Sequence, residues 1–180
     1  MHYKFFLLII FFSLFLMNGC LLFHTVSYEI TLNDDNSGKV TVTVNNIRSD
    51  AINKIALDED KKNLFEFLLK SDEFVSQMKD EGKYITGRGL FIVDNNLNGN
   101  IFYTFSKISD VEGIVYDEPY YFLTLSPEDS VITTNGEVII SDNVKRIMWD
   151  NSIDTLKFEM FSEDVESGNL VDLTQYYKED

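Results

Sequence analysis

Cysteine occurs once in this chain, proline twice and histidine twice. A single cysteine excludes an intramolecular disulfide, so packing and strand pairing must hold the fold together. With His2 inside an apolar N-terminal stretch, His24 is the one histidine left for a folded domain. The usual zinc ligand sets need more His and Cys than that. Basic residues are also scarce, 15 against 30 acidic ones. Phosphate binding needs clustered Lys and Arg, so this balance argues against nucleic acid and against charge-driven docking on anionic headgroups. Its simplest consequence is solubility. No Gly-x-Ser-x-Gly elbow and no phosphate loop is present, and no nucleophile–base arrangement stands out. A non-enzyme without cofactors is the expectation. A carboxylate-based hydrolase remains the residual catalytic reading, because such chemistry needs two acids and many are available.

The N-terminus carries the most informative feature. Lys4 is a short positive region, and Phe5 to Met17 is an apolar run interrupted only by Ser13. That length suits the apolar region of a secretory signal. Asn18-Gly19 follows, then the lone Cys20. The segment Leu16-Met17-Asn18-Gly19-Cys20 resembles the lipobox of bacterial lipoproteins. The resemblance implies cleavage between Gly19 and Cys20 and diacylglycerol and palmitate-type acylation on Cys20. The protein would then sit outside the cytoplasm, tied to a membrane of the cell envelope. The apolar run extends through Leu21-Leu22-Phe23, so an uncleaved membrane anchor is the competing reading. Two acyl chains hold a protein stably where one does not, so no basic patch is needed. Removing Lys4 from the 15 basic residues leaves 14 against 30 acidic ones, a formal charge of −16 for the mature chain.

The mature chain is long enough for one domain with its own core. Expected boundaries are 1–19 for the signal, 20–27 for the anchored segment, 28–162 for the domain and 163–180 for an acidic tail that frays. Tyr28–Leu32 and Val40–Val44 alternate around Asp34 to Gly38 and predict a β-hairpin with the valines on its buried face. Asp34, Asp35 and Asn36 are turn chemistry before they are cation ligands. Ser49-Asp50 predicts a cap for a short helix near Ala51. Leu57, Leu64, Leu68, Ser71, Val75 and Met78 make one helical face, divided near Ser71-Asp72 and stopped at Gly82. Strands are expected over Tyr84–Thr86, Leu90–Val93, Ile101–Phe105, Val111–Tyr116, Tyr120–Leu125, Arg146–Trp149 and Thr155–Phe161. Gly87-Arg88-Gly89 reads as a bulge or kink. Val131–Thr134, Asn135-Gly136 and Glu137–Ile140 predict a hairpin with a type I′ turn. The resulting class is α+β, a curved antiparallel sheet built from hairpins with a helical segment packed on one face.

The lipobox, the immediate hairpin with Gly38 in its turn, the helix, and Thr134-Asn135-Gly136 followed by Trp149 resemble the extracytoplasmic domain of LppM-type bacterial lipoproteins. That resemblance implies an α+β domain with an apolar pocket for lipid. Phe65, Phe74, Phe91, Phe102, Tyr121 and Phe122 are the aromatics that would line such a pocket; the alternative is that they fill a solid core. Asp94, Asn96 and Asn98 occupy the first, third and fifth places of a calcium loop with Gly99 at the turn. Phe105 stands where the bidentate Glu belongs, so a hairpin turn is the preferred reading. Two versions of a binding domain follow: one holds a lipid or other hydrophobic ligand, the other contacts an envelope protein, at a strand edge for instance.

Overall fold

The computed structural model describes residues 21–141, 143–161 and 170–178. Gly19 and Cys20 therefore lie outside the described residues. Strand pairing begins at once with β1 (Leu21–Leu22). The first expected hairpin follows as β2 (Thr25–Leu32) and β3 (Gly38–Asn45), with Ile30 opposite Val40 and Tyr28 opposite Val42. Its valines turn inward as alternation requires; Val40 is 2% exposed.

Chain direction changes at Ile47, whose N–H donates to the Leu97 carbonyl at 2.7 Å. The short β4 (Arg48–Ser49) then leads to α1 (Lys54–Lys62). Its cap is Asn53, whose side chain accepts from the Ala56 N–H at 3.0 Å. Ser49, the expected cap, instead lies in β4 with its hydroxyl committed elsewhere. The helix continues over Asn63–Leu68 in wider π turns. A second helix, α2 (Asp72–Asp80), starts at its cap Ser71, the expected division point. Gly82, at φ +82°, ends it in the left-handed conformation that glycine tolerates best.

β5 (Lys83–Val93) and β6 (Asn96–Phe105) form one long hairpin, with a bulge between Ile85 and Gly87 where Gly87-Arg88-Gly89 suggested one. The two central residues of its turn, Asp94 and Asn95, have φ of 50° and 61°. Positive φ at both positions is the requirement of a type I′ turn. The remaining strands are β7 (Val115–Asp117), β8 (Tyr120–Leu125), β9 (Val131–Thr134), β10 (Glu137–Ser141), β11 (Val144–Asp150), β12 (Thr155–Phe161) and β13 (Val171–Asp172).

Among the described residues all strand pairs are antiparallel and fall into three sheets. A six-stranded sheet runs β5-β6-β3-β2-β12-β9, a four-stranded one β10-β11-β8-β7, and a three-stranded one β1-β4-β13. The class is α+β, but the expected single sheet is three, and none is strongly curled. One face of the six-stranded sheet is covered twice. Ile30, Val40, Tyr103, Phe105, Leu156 and Phe158 meet Tyr121, Leu123, Leu125, Ile147 and Trp149 of the four-stranded sheet. Further along that face, Leu97, Val44 and Leu90 pack with Leu64, Leu57 and Leu68 of the helical segment and with Ile47 and Leu173. Arg88 ties the layers together. Its guanidinium donates to the Leu68 carbonyl at 3.0 Å and lies over the Phe74 ring.

One predicted hairpin is absent. β9 pairs with β12 and β10 with β11, so Asn135-Gly136 carries the chain from one sheet to the other. Neither residue has positive φ, so no I′ turn forms. The reason is tertiary. The Asn135 Oδ1 accepts from the Trp149 Nε1 at 2.9 Å and from the Lys157 N–H at 2.8 Å, while its amide donates to the Thr155 carbonyl. Those bonds stitch the sheets together and outweigh a local turn preference worth a fraction of this. At Gly136 a Cβ would lie 2.7 Å from that indole nitrogen, so only glycine fits there.

Both ends of the fold extend beyond the expected boundaries. Leu21 and Leu22 are buried, and β2 opens at Thr25, so pairing starts ahead of Tyr28. Val171 pairs with Ser49, and Leu173 is fully buried. Part of the stretch expected to fray is therefore core, and Tyr177 stacks on Phe65 and donates to the Leu90 carbonyl.

Candidate functional site

The six aromatics proposed for a pocket do not share one. Phe65 and Phe74 belong to the helical layer, where Phe65 meets Tyr177 and Phe74 meets Phe67. Phe102 is 40% exposed on the uncovered face of the six-stranded sheet, its ring against Gly87. Alternation puts Phe91, opposite Asn98, on that same uncovered face. Tyr121 points between the sheets and is buried; its hydroxyl donates to the Asn36 Oδ1. Phe122, the next residue, points to the outside of the four-stranded sheet beside Tyr120. Two open hollows, of about 700 Å³ and 250 Å³, are lined by none of the six.

The calcium loop is not formed. Asn96 and Asn98 are rungs of the β5–β6 ladder, opposite Val93 and Phe91. Asn98 is buried, its Oδ1 accepting from the Asn46 N–H at 2.8 Å and its amide donating to the Asn96 carbonyl. Those bonds hold the bend between β3 and β4, so the side chain is taken. Asp94 is a turn residue with its carbonyl bonded by Asn96. The other acidic turn resolves the same way, as the Asp35 carboxylate accepts from the Ser37 N–H and hydroxyl. Those bonds hold its pKa below the ordinary value. Among the described residues no group of three or more His, Cys, Asp or Glu is disposed to hold a metal.

Two buried polar groupings were not visible in the sequence. In the first, Lys83 lies 3.3 Å from Glu81 and 3.5 Å from Glu112. The Glu112 charge acts on the Tyr28 phenol and on Tyr103, whose hydroxyl is buried without a hydrogen-bond partner. Burial, and then Glu112, push both phenols above their usual pKa. The phenols therefore stay protonated, and the group ties the loop after Phe105 to the large sheet.

In the second, Asp60 of α1 is fully buried and accepts from the Ser49 hydroxyl at 2.5 Å. Ser49 in turn accepts from the Ala51 N–H. The other Asp60 oxygen has no partner. Burial raises the Asp60 pKa, and Asp50 and Glu59 add to the rise; the Ser49 bond opposes it. The sign follows from linkage. A carboxyl with a raised folded-state pKa contributes stability fully below its unfolded value of 3.8, and this is lost as pH rises through the folded value. Each unit of separation is worth about 1.4 kcal/mol. Urea midpoints of wild type and Asp60→Asn, measured from pH 3.5 to 7, should therefore diverge. Wild type loses stability relative to the variant as pH rises. Parallel pH profiles would contradict an ionising Asp60.

Among the described strands, β10 is the longest with every residue exposed. All five of its residues are exposed, among them Val138, Ile139 and Ile140, the last at 70%. Among the described residues it has β11 on one side and no strand on the other. Other edges carry devices that discourage pairing. β7 is three residues long and runs into Glu118-Pro119, β9 is four residues long, and β5 is bulged with Tyr177 bonded to Leu90. β10 has one charge, Glu137, no proline and no bulge. Beside Ile139 in register stands Arg146, and both line the smaller hollow with Ser141 and Val144. A strand over Glu137–Ile140 was legible; that it would be an edge was not, because the Asn135-Gly136 signal assigned it a false partner. Among the described residues no helix is long and apolar enough to cross a membrane. No protein-family model, no curated protein and no solved structure matches this chain.

Proposed function

We propose that this chain is a lipoprotein of the bacterial cell envelope, anchored through Cys20, whose domain has a closed core and works through protein contacts at the β10 edge. The observation that carries the anchor is the burial of Leu21 and Leu22 in a strand of the domain. With those residues committed, the apolar run available to the membrane is Phe5 to Cys20. That is shorter than the ~20 residues of a spanning helix and suits a cleaved signal. The protein-contact reading is supported by the dispersal of the six aromatics and by an unguarded, apolar strand edge, the kind of surface that accepts an extended partner segment. A lipid-holding domain would need those aromatics to converge on one cavity.

Cys20→Ser should abolish incorporation of a labelled fatty acid, with the protein left unprocessed; undiminished labelling contradicts the anchor. For the edge, a photo-reactive residue at Ile139 should crosslink to an envelope protein in cells, while one at Ile132 on β9, 41% exposed, should not. Equal capture at both positions, or at neither, contradicts the edge assignment.

A further inference from the structure

The two most exposed large apolar side chains among the described residues are Ile52, at 95%, and Ile55, at 81%. They lie three residues apart where β4 hands over to α1. Together with Ala51 and Ala56 they line the open hollow of about 700 Å³, whose polar rim is Asp50, Asn53, Lys54 and Glu59. An isoleucine almost fully in water gains nothing from folding, and two side by side form a contact surface awaiting an apolar phase.

Their place in the fold indicates which phase. The chain arriving from Cys20 enters the domain at Leu21, and Leu21 pairs with Ser49. Antiparallel partners stand about 5 Å apart between Cα atoms. Ile52 is three residues from Ser49, at most ~11 Å further along the chain. Ile52 is therefore within about 16 Å of Leu21, and Ile55 follows within one turn of α1. Twenty residues precede Leu21, and the last of them is the acylated cysteine of the proposed anchor. With no tether between Cys20 and β1, the surface nearest the entry point must lie near the bilayer.

We propose that Ile52 and Ile55 insert into the outer part of the bilayer that holds Cys20 and seat the domain on it in a fixed orientation. This inference rests on the lipidation of Cys20. Shallow insertion suits the surrounding chemistry. Apolar side chains at a helix start can bury about 5–10 Å into the headgroup boundary. Lys54 lies between the isoleucines in sequence, and its long stem can lie along the apolar surface while the ammonium stays with the headgroups. Asp50, Asp58 and Glu59 keep the site from seeking anionic lipid, so a zwitterionic surface is the expected partner.

The test uses the mature, acylated protein in phosphatidylcholine nanodiscs. Ile52→Cys, Ile55→Cys and, as a distant control, Ile140→Cys are each labelled with an environment-sensitive fluorophore; Cys20, being acylated, does not react. Emission at positions 52 and 55 should shift to the blue and be lost when the acyl chains are brominated. Emission at position 140 should be quenched by aqueous iodide and unaffected by bromine. Water-exposed labels at 52 and 55 on protein that stays in the nanodisc overturn the insertion and leave the anchor standing. Protein that carries no fatty acid and does not enter the nanodisc overturns both.

Discussion

Trp149→Ala should lower the unfolding free energy by about 3–5 kcal/mol, the range for removing a large buried aromatic. Trp149 is fully buried between the sheets, with Phe158 from the opposing sheet 6.0 Å from its ring. Its indole N–H also bonds the Asn135 Oδ1. The substitution thus leaves a cavity at the centre of the larger core and removes a bond at the point where the chain changes sheets. Trp149→Phe separates the two effects. It keeps most of the volume and loses the hydrogen bond, for an expected loss of about 1–3 kcal/mol. Urea denaturation followed by far-UV circular dichroism reads both variants, since the chain has no other tryptophan. A loss below about 1 kcal/mol for the alanine variant would mean that Trp149 is not a core residue.

Leu173→Ala should remove about 2–5 kcal/mol. Leu173 is fully buried with Leu21, Ile47, Leu64 and Leu97. It comes near the end of the chain, after β13 has paired with β4. β4 is thus held on one side by the segment arriving from Cys20 and on the other by the C-terminus. Truncation before Leu170 should produce at least as large a loss as the point substitution, because it removes the β13 pairing as well. A fraying tail would show no change in either variant.

Local pattern recovered the elements whose partners are near in sequence. The alternation of Val40, Val42 and Val44 predicted the first hairpin and its buried face. The stripe through Leu64 and Met78 predicted the helices, Ser71 their division and Gly82 their end. The pair of glycines around Arg88 marked the bulge. Failures came where a distant group decided the outcome. Asn135-Gly136 has the composition of a hairpin turn, but Trp149 and Lys157 recruit the Asn135 side chain and send the following strand to another sheet. Period two states that a strand has two faces, not which sheet it joins, so one predicted sheet proved to be three. Asn98 resembled a calcium ligand by its spacing from Asp94 and Asn96, and the bond that claims it, from the Asn46 N–H, was invisible because it links residues 52 positions apart. The acidic C-terminus looked like a solvated tail because its charges outnumber the few apolar residues, Leu173 and Tyr177 among them, that decide its packing.

The same limits apply to function. The aromatics that suggested a lipid pocket are distributed among the helical layer, the uncovered sheet face, the gap between sheets and the outside of the smaller sheet. Abundance of Phe and Tyr reports the supply of apolar area, whereas a pocket requires that they converge. The β10 edge and the Ile52–Ile55 surface are legible only in three dimensions, as both are defined by being left uncovered among the described residues.

An acylated envelope protein with a closed core is tested most directly by native mass spectrometry of the full chain, expressed in a bacterium with a lipoprotein pathway and extracted from its membranes in mild detergent. The expected species begins at Cys20, carries a covalent diacylglycerol-type mass on that residue, and holds no further small molecule that organic solvent removes. A species that retains Met1 to Gly19 without added lipid would contradict the anchor. A mature species with a stoichiometric, extractable hydrophobic ligand would contradict the closed core.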